Sequence, residues 1–134
     1  MSKYDPKEGL KMRLELAKKY LGEAEKYYNK GDPAQVSEKA YTAAEEIVKA
    51  LAEKFNLPEH QQALKEGRWY TYSLSKAAGS LYEKLGDWIL DGWSSAYLLH
   101  VWGFHEAKLN IKDIKPYLDK VKIMVGEAVK VILQ

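Results

Sequence analysis

An Asp-Pro pair occurs twice in the first quarter of the chain, and each pair opens a long run of apolar residues at helical spacing. The segment Asp5–Glu8 has an acidic N-cap, a proline in the first turn and a glutamate at the third helical position, which together indicate a helix start. Asp32-Pro33 repeats the start directly after Gly31, a residue that favours the end of a helix. Because so short a turn joins them, the two helices are predicted to form an antiparallel hairpin.

Apolar residues in three stretches recur at alternating steps of three and four, the spacing of one face of an α-helix. In the first helix they are Leu10, Leu14, Ala17, Leu21, Ala24 and Tyr28. In the second helix they are Val36, Ala40, Ala43, Ile47 and Ala50. In the last helix, which begins at Asn110 or Asp113, they are Ile111, Ile114, Leu118, Val121, Val125, Ala128 and Ile132. No stretch alternates with a period of two, so no strand is predicted.

Proline and glycine divide the middle of the chain. Leu57-Pro58 ends the second helix, because a residue before proline avoids the α conformation. Residues 59–66 form a short helix or a turn that Gly67 closes. The 134 residues fit one domain.

Two further helices are predicted between Gly67 and the last helix. Thr71 or Ser73 caps the third helix, which runs to Leu85, and Asp87 caps the fourth, which runs to about Lys108. The predicted fold class is therefore all-α: an antiparallel bundle of about five helices in a single domain over residues 1–134.

Composition excludes several classes of protein. The net charge of +2 and the presence of 19 lysines but two arginines give little electrostatic basis for nucleic-acid recognition. The chain has no cysteine, which excludes disulfides, thiolate metal sites and a cysteine nucleophile. No apolar run is long enough to span a membrane, and the N-terminal residues lack the apolar stretch of a signal peptide, so a cytoplasmic protein is expected.

All four tryptophans fall between positions 69 and 102, mostly on the fourth helix. At 100° per residue, Asp87, Asp91, Ser94, Ser95 and His105 share one polar side, whereas Trp93 lies on the opposite apolar side with His100. Trp93 is therefore predicted to belong to the core, and Trp102 to lie beside His105 next to a ligand or a partner chain. The residues predicted to bind a ligand or partner are Trp69, Asp91, Ser94, Ser95, Trp102 and His105.

The two histidines of the fourth helix are predicted to have different roles. They are five residues apart, about 140° around an α-helix, whereas a pair that shares a metal ion on a helix is four apart. No metal site and no cofactor are therefore predicted. His100 is expected to be buried with a satisfied hydrogen bond. His105, followed by Glu106, is either a surface residue without a role or a group for acid–base or phosphate chemistry, because histidine exchanges protons near neutral pH.

Three other residues of this region have both a structural and a functional interpretation. Gly92 and Gly103 cost about 1 kcal/mol each inside a helix relative to alanine, which favours tight packing there over the approach of a ligand. Arg68 can bind a phosphate or stack on a base. It can equally cap a helix or cover Trp69 in a cation–π contact, and this structural role is preferred.

Three segments resemble the archaeal PaREP-type paralogous family: Ala43–Leu51, Gly67–Trp69 and, above all, the string His-Val-Trp-Gly-Phe-His-Glu at 100–106. The resemblance covers nearly the whole chain. That family is similar in fold to HEPN domains, which are all-α bundles, commonly dimeric, and include metal-independent ribonucleases of toxin–antitoxin and defence systems. Active HEPN ribonucleases carry an arginine followed a few residues later by a histidine. Here His105 matches the histidine, but His100 stands at the arginine position.

Two hypotheses for function follow. The first is a non-catalytic HEPN-like module that dimerises and binds a protein partner or a nucleotide-like ligand. The second is a metal-independent endoribonuclease with His105, Glu106 and Arg68 as its catalytic residues. The last helix has more apolar residues than one face needs, which leaves a homodimer interface and packing within its own bundle as alternatives; the extra residues are Ile123, Met124, Val129, Val131 and Leu133.

Overall fold

Six α-helices and one π-helical segment form the part of the chain that the computed structural model describes, residues 5–134, with Pro6 described by its backbone alone. The helices are α1 (Pro6–Asn29), α2 (Pro33–Lys54), α3 (Pro58–Glu66), α4 (Thr71–Leu85), α5 (Asp87–Leu98) and α6 (Ile111–Ile132), and the π segment (Leu99–His105) lies between α5 and α6. Residues 5–134 contain no strand. Residues 1–4 lie outside the described residues. The predictions of a single domain and of no signal peptide included these four residues.

The helix starts with an acidic or amide N-cap are confirmed. The Lys7 N–H donates to Asp5 at 3.0 Å, and the Gln35 N–H donates to Asp32 at 3.2 Å. At the start of α6, Asn110 and Asp113 form a reciprocal capping box. Each cap satisfies a backbone N–H that has no partner within the helix.

Two predicted caps and the number of helices are wrong. The bundle has six helices because the stretch after Pro58 is helical. Thr71 and Ser73 do not cap α4, which has Tyr70 at its N-cap position, and Asp87 is the first residue of α5 after Gly86. Gly86 has a φ of +101°, so α4 passes into α5 through one glycine and leaves no position for a capping side chain.

Helix α2 lies at the centre of the bundle and packs against every other helix and the π segment. Its small side chains let the neighbouring helices approach closely. Ala40, Ala43, Ala44 and Ala50 are fully buried. Around α2 the core takes in the predicted faces of α1 and α6; its largest fully buried side chains include Leu14, Ile47, Leu51, Leu74, Leu81, Ile89, Leu99, Ile114 and Met124.

The extra apolar residues of α6 divide between the core and the surface. Met124 is fully buried within the bundle and therefore contributes nothing to a second surface. Ile123 and Leu133 are 52% and 55% exposed. Among the described residues, none of the helices combines the length and the apolar character needed to cross a membrane.

Candidate functional site

The helix that follows Gly86 changes its hydrogen-bond pattern partway along. It is α-helical to Leu98 and π-helical over Leu99–His105, so the prediction of one α-helix to about Lys108 is wrong. At the end of the π segment the Glu106 N–H donates to the Val101 carbonyl oxygen, five residues earlier, at 2.8 Å. A π-helix has more residues per turn than an α-helix, so residues five apart lie closer together around the axis.

This change brings the two histidines together. Their Nε2 atoms are 3.2 Å apart and their ring centroids 4.4 Å apart, with the ring planes at 80°. The prediction that His100 and His105 lie about 140° apart is therefore wrong. It assumed α-helical geometry, and the π segment removes that separation.

A carboxylate extends the histidine pair into a chain of three groups. His100 Nδ1 lies 3.2 Å from Oε2 of Glu38 on α2. Because an ionised carboxylate accepts hydrogen bonds, the Nδ1 of His100 carries the proton in this contact. The predicted hydrogen bond of His100 is confirmed, although the side chain is 21% exposed and thus half-buried. These side-chain contacts lead from half-buried Glu38 through His100 to exposed His105.

Tyr41 forms the floor of this cluster. Its ring stacks on the His100 ring at a centroid distance of 3.9 Å and an interplanar angle of 17°. On α5, Trp93 and Tyr97 complete an aromatic group around it: Trp93 lies 5.6 Å from Tyr41, and Tyr97 lies 6.3 Å from both Trp93 and His100. Stacking on a buried tyrosine fixes the plane of the His100 ring.

Two ionisable groups of α2 have altered proton affinities. Burial raises the pKa of Tyr41 to about 12, assisted by the negative charge of Glu45 and opposed by a hydrogen bond with Thr71. Burial also raises the pKa of Glu45, while Lys49 lowers it and Glu38 raises it further. The side of α2 that faces the π segment therefore holds Tyr41 neutral beside two carboxyl groups.

The two tryptophans of this region behave differently. Trp93 is 3% exposed and its Nε1–H donates to the Ser75 hydroxyl at 3.0 Å, so the prediction of a core residue is confirmed. Trp102 is 49% exposed. It lines an open groove of about 460 Å³ with Leu98, Leu109 and Tyr117.

Both glycines of the region have a packing reason, as predicted. A Cβ on Gly92 would lie 2.5 Å from Met124 Cβ on α6. A Cβ on Gly103 would overlap the fully buried Ser37 side chain on α2. Gly103 therefore lets the π segment lie directly against the N-terminal part of α2.

The other two predicted catalytic residues, Arg68 and Glu106, have different surroundings. The Arg68 guanidinium lies 4.4 Å over the Tyr70 ring, which is a cation–π contact with a different ring from the predicted Trp69. Trp69 itself packs half-buried against the core. Glu106 is exposed directly after the π segment.

The polar side chains of α5 lie at the surface, as the helical layout predicts. Asp91 and Ser94 are exposed, and Ser95 is half-buried. Across residues 5–134, the polar and ring contacts of His105 are with His100 and Phe104 rather than with these three residues. The predicted ligand-binding residues of α5 therefore make no polar or ring contact with His105 within residues 5–134.

Sequence reasoning missed Glu38 and Tyr41, which contact His100, and Glu45, whose charge acts on Tyr41. Glu38, Tyr41 and Glu45 stand at positions i, i+3 and i+7, the spacing of one helix face. Ionisable groups on one side of an otherwise alanine-rich central helix were the signal that could have identified them.

The molecule is thus an all-helical protein with a surface cluster of one carboxylate and two histidines. A π-helical segment and the first half of a central helix hold these three side chains together. The chain belongs to the archaeal PaREP1/PaREP8 family, whose model matches residues 12–125. It is similar to a protein from Sulfolobus solfataricus of known crystal structure, with 39% identity, a TM-score of 0.82, and coverage of 89% of this chain and 97% of the other.

A solution structure of the Orf c02003 protein is similar too, with 40% identity and a TM-score of 0.74, over 85% of this chain and 88% of the other. Among curated proteins, none matches.

Proposed function

We propose that the protein is a single-domain HEPN-like module that binds a nucleotide-like ligand at the cluster of Glu38, Tyr41, His100 and His105. The observation that carries the proposal is the Glu38–His100–His105 chain, in which Glu38 orients His100 and His100 contacts the exposed ring of His105 at 3.2 Å. A histidine held in this way presents a hydrogen-bonding nitrogen to an anionic group. Tyr97, which is 42% exposed beside His100, offers a ring on which a base can stack.

We favour ligand binding over catalysis because of the residue at position 100. The HEPN ribonucleases that the chain resembles have an arginine there, whose guanidinium makes bidentate contacts with a phosphate. His100 uses one nitrogen for Glu38 and the other for His105, so it cannot make that bidentate contact.

A metal-independent endoribonuclease is the second candidate, and the position of His100 beside His105 favours it. In this reading Glu38, His100 and His105 pass a proton between the half-buried carboxyl and the substrate, with His105 as the group that contacts the RNA. Glu106 and Arg68 remain proposed helpers. Arg68 lies at the chain segment before α4, whose first residue, Thr71, hydrogen-bonds Tyr41 in the cluster.

One set of measurements separates the two candidates. The purified protein is titrated with AMP and with a short single-stranded RNA in EDTA, and the same RNA is analysed on a gel for cleavage. His105→Ala is the test variant and His60→Ala, which removes the third histidine from distant α3, is the matched control.

Binding that is lost in His105→Ala but kept in His60→Ala, with intact RNA, supports the module. Cleavage lost in the same pattern supports the enzyme. If the wild type neither binds nor cleaves, or if both variants behave alike, the proposal fails.

Two further interactions stay proposals. The groove beside Trp102 is lined by apolar Leu98 and Leu109 and by charged Lys112 and Asp113, a mixed surface that suits a protein partner. Exposed Ile123 and Leu133 support a homodimer through α6. Native mass spectrometry tests the dimer, and a monomer at high micromolar concentration would exclude it.

A further inference from the structure

The two histidines at the end of the π segment approach each other through the atoms that bind transition metals. Their Nε2 atoms are 3.2 Å apart, and the rings are nearer at these atoms than at their centroids, which are 4.4 Å apart. The ring planes are inclined at 80°, and the two nitrogens are also at hydrogen-bond distance.

The separation fits two ligands of one ion. Imidazole nitrogens bind Zn²⁺ at about 2.0–2.1 Å, so two of them on a tetrahedral ion lie about 3.3 Å apart. Binding one ion would therefore keep the present separation of the Nε2 atoms, with the rings turned so that both lone pairs face the ion.

Glu38 supplies the outer contact that metal-bound histidines need. A histidine that binds through Nε2 usually donates its Nδ1–H to a carboxylate, which fixes both the tautomer and the ring orientation. His100 Nδ1 lies 3.2 Å from Glu38 Oε2, which leaves the lone pair on Nε2. The Tyr41 ring, stacked 3.9 Å below, holds the imidazole in that orientation.

The ligand chemistry selects the ion. Imidazole suits Zn²⁺, Ni²⁺, Co²⁺ and Cu²⁺, whereas Mg²⁺ requires oxygen ligands. Within residues 5–134, no group of three or more metal-ligating side chains converges, so two histidines provide the protein ligands and the other positions are open. His105 is exposed, which lets an ion and an external ligand reach the pair.

From this geometry we infer that His100 and His105 form a binding site for one divalent transition-metal ion, with Glu38 as the residue that positions His100. The ion leaves coordination positions free for an anionic group such as phosphate. The metal site uses the same side chains as the proposed nucleotide site. Because it is tested with the ion alone, each of the two proposals can fail separately.

The test is calorimetric titration of the protein, stripped with EDTA and desalted, with Zn²⁺, Ni²⁺, Co²⁺ and Mg²⁺ in the absence of nucleotide. The expected result is saturation at one Zn²⁺, Ni²⁺ or Co²⁺ per chain and no binding of Mg²⁺. His100→Ala and His105→Ala should each weaken binding at least tenfold, and Glu38→Gln about tenfold, the range observed for outer carboxylates. His60→Ala, the matched control, should bind as the wild type does.

A second measurement on the wild type does not depend on how the variants fold. Diethyl pyrocarbonate modifies accessible imidazoles, and mass spectrometry of peptides locates the modification. Zn²⁺ should protect His100 and His105 and leave His60 unchanged. Equal protection of His60, unchanged binding by His105→Ala, or binding of Mg²⁺ as strong as that of Zn²⁺ would overturn the inference, and the histidine contact would then be a plain hydrogen bond.

Discussion

Helix α5 and the π segment are consecutive parts of one predicted helix, yet they obey different geometries. In α5 the predicted apolar side is buried, as Ile89, Trp93 and Ala96 show, and the polar side faces solvent. In the π segment, His100 and His105 meet although an α-helix would separate them. The difference teaches that a side-chain periodicity holds only as long as the backbone hydrogen-bond register that it assumes.

The surfaces beneath the two regions differ as well. Trp93 of α5 lies in the core, and Gly92 lies against Met124 of α6. The π segment rests on the end of α2 that carries Glu38 and Tyr41. Apolar packing holds the first region, whereas the second combines buried Leu99 and Gly103 with polar and aromatic contacts to α2.

Trp93→Ala should remove about 3–5 kcal/mol from the free energy of unfolding, because it empties a large core position. Trp102→Ala should cost less than about 1 kcal/mol, because half of that side chain is already in solvent. Urea denaturation of both variants measures the difference. Similar losses would show that the π segment is packed as firmly as α5.

Gly103→Ala should destabilise the protein by about 1–3 kcal/mol, because the added Cβ overlaps the buried Ser37 side chain. Gly92→Ala should fall in the same range through its contact with Met124. Gly22→Ala in α1 is the control: nothing surrounds that position, and the change should stabilise by up to about 1 kcal/mol. A Gly103→Ala protein as stable as the wild type would contradict direct packing of the π segment on α2.

Tyr41→Phe should cost about 1 kcal/mol, because it removes the hydrogen bond with Thr71 while the ring that stacks on His100 remains. Thermal or urea unfolding measures the loss. Tyr82→Phe, at an exposed tyrosine of α4, is the control and should change stability by less than about 0.5 kcal/mol. Equal effects of the two variants would argue against a structural hydroxyl at position 41.

Glu45→Gln should raise stability at pH 7 by about 0.5 kcal/mol, a small gain because solvent screens a half-buried carboxyl. Burial raises the pKa of Glu45 in the folded chain above its usual value of 4.5. The wild type therefore loses stability as pH rises from about 4.5 through the folded pKa, whereas glutamine stays neutral.

The gain from Glu45→Gln should accordingly shrink as the pH falls to about 4, in urea unfolding curves at the two pH values. Glu46→Gln should have the opposite sign at pH 7, because Glu46 pairs with Arg13 at 2.9 Å. A gain from Glu45→Gln that does not depend on pH would rule out ionisation as its cause.

Much of the fold follows from local sequence patterns. The Asp-Pro starts, the Asn110 capping box and the apolar faces of α1, α2 and α6 act within a few residues of the chain, and the structure confirms them. The cap predicted for α5 failed because a single glycine joins it to α4 and leaves no capping side chain, whereas α4 begins after Tyr70, whose side chain makes no capping hydrogen bond. The exposure of the polar side of α5 was also predictable, because helical periodicity places its polar residues opposite its apolar ones.

The sequence by itself determined an all-helical chain, the burial of Trp93 and the tight packing at Gly92 and Gly103, because each depends on helical periodicity or on the absence of a side chain. Only the tertiary structure decided that His100 and His105 meet and that Glu38 and Tyr41 hold them. Gly103 packs on Ser37 within the segment that is π-helical, and a π-helical turn contains more residues than an α-helical one. The partners of this segment on α2 lie more than 60 positions earlier in the chain, so the local spacing of residues does not reveal them.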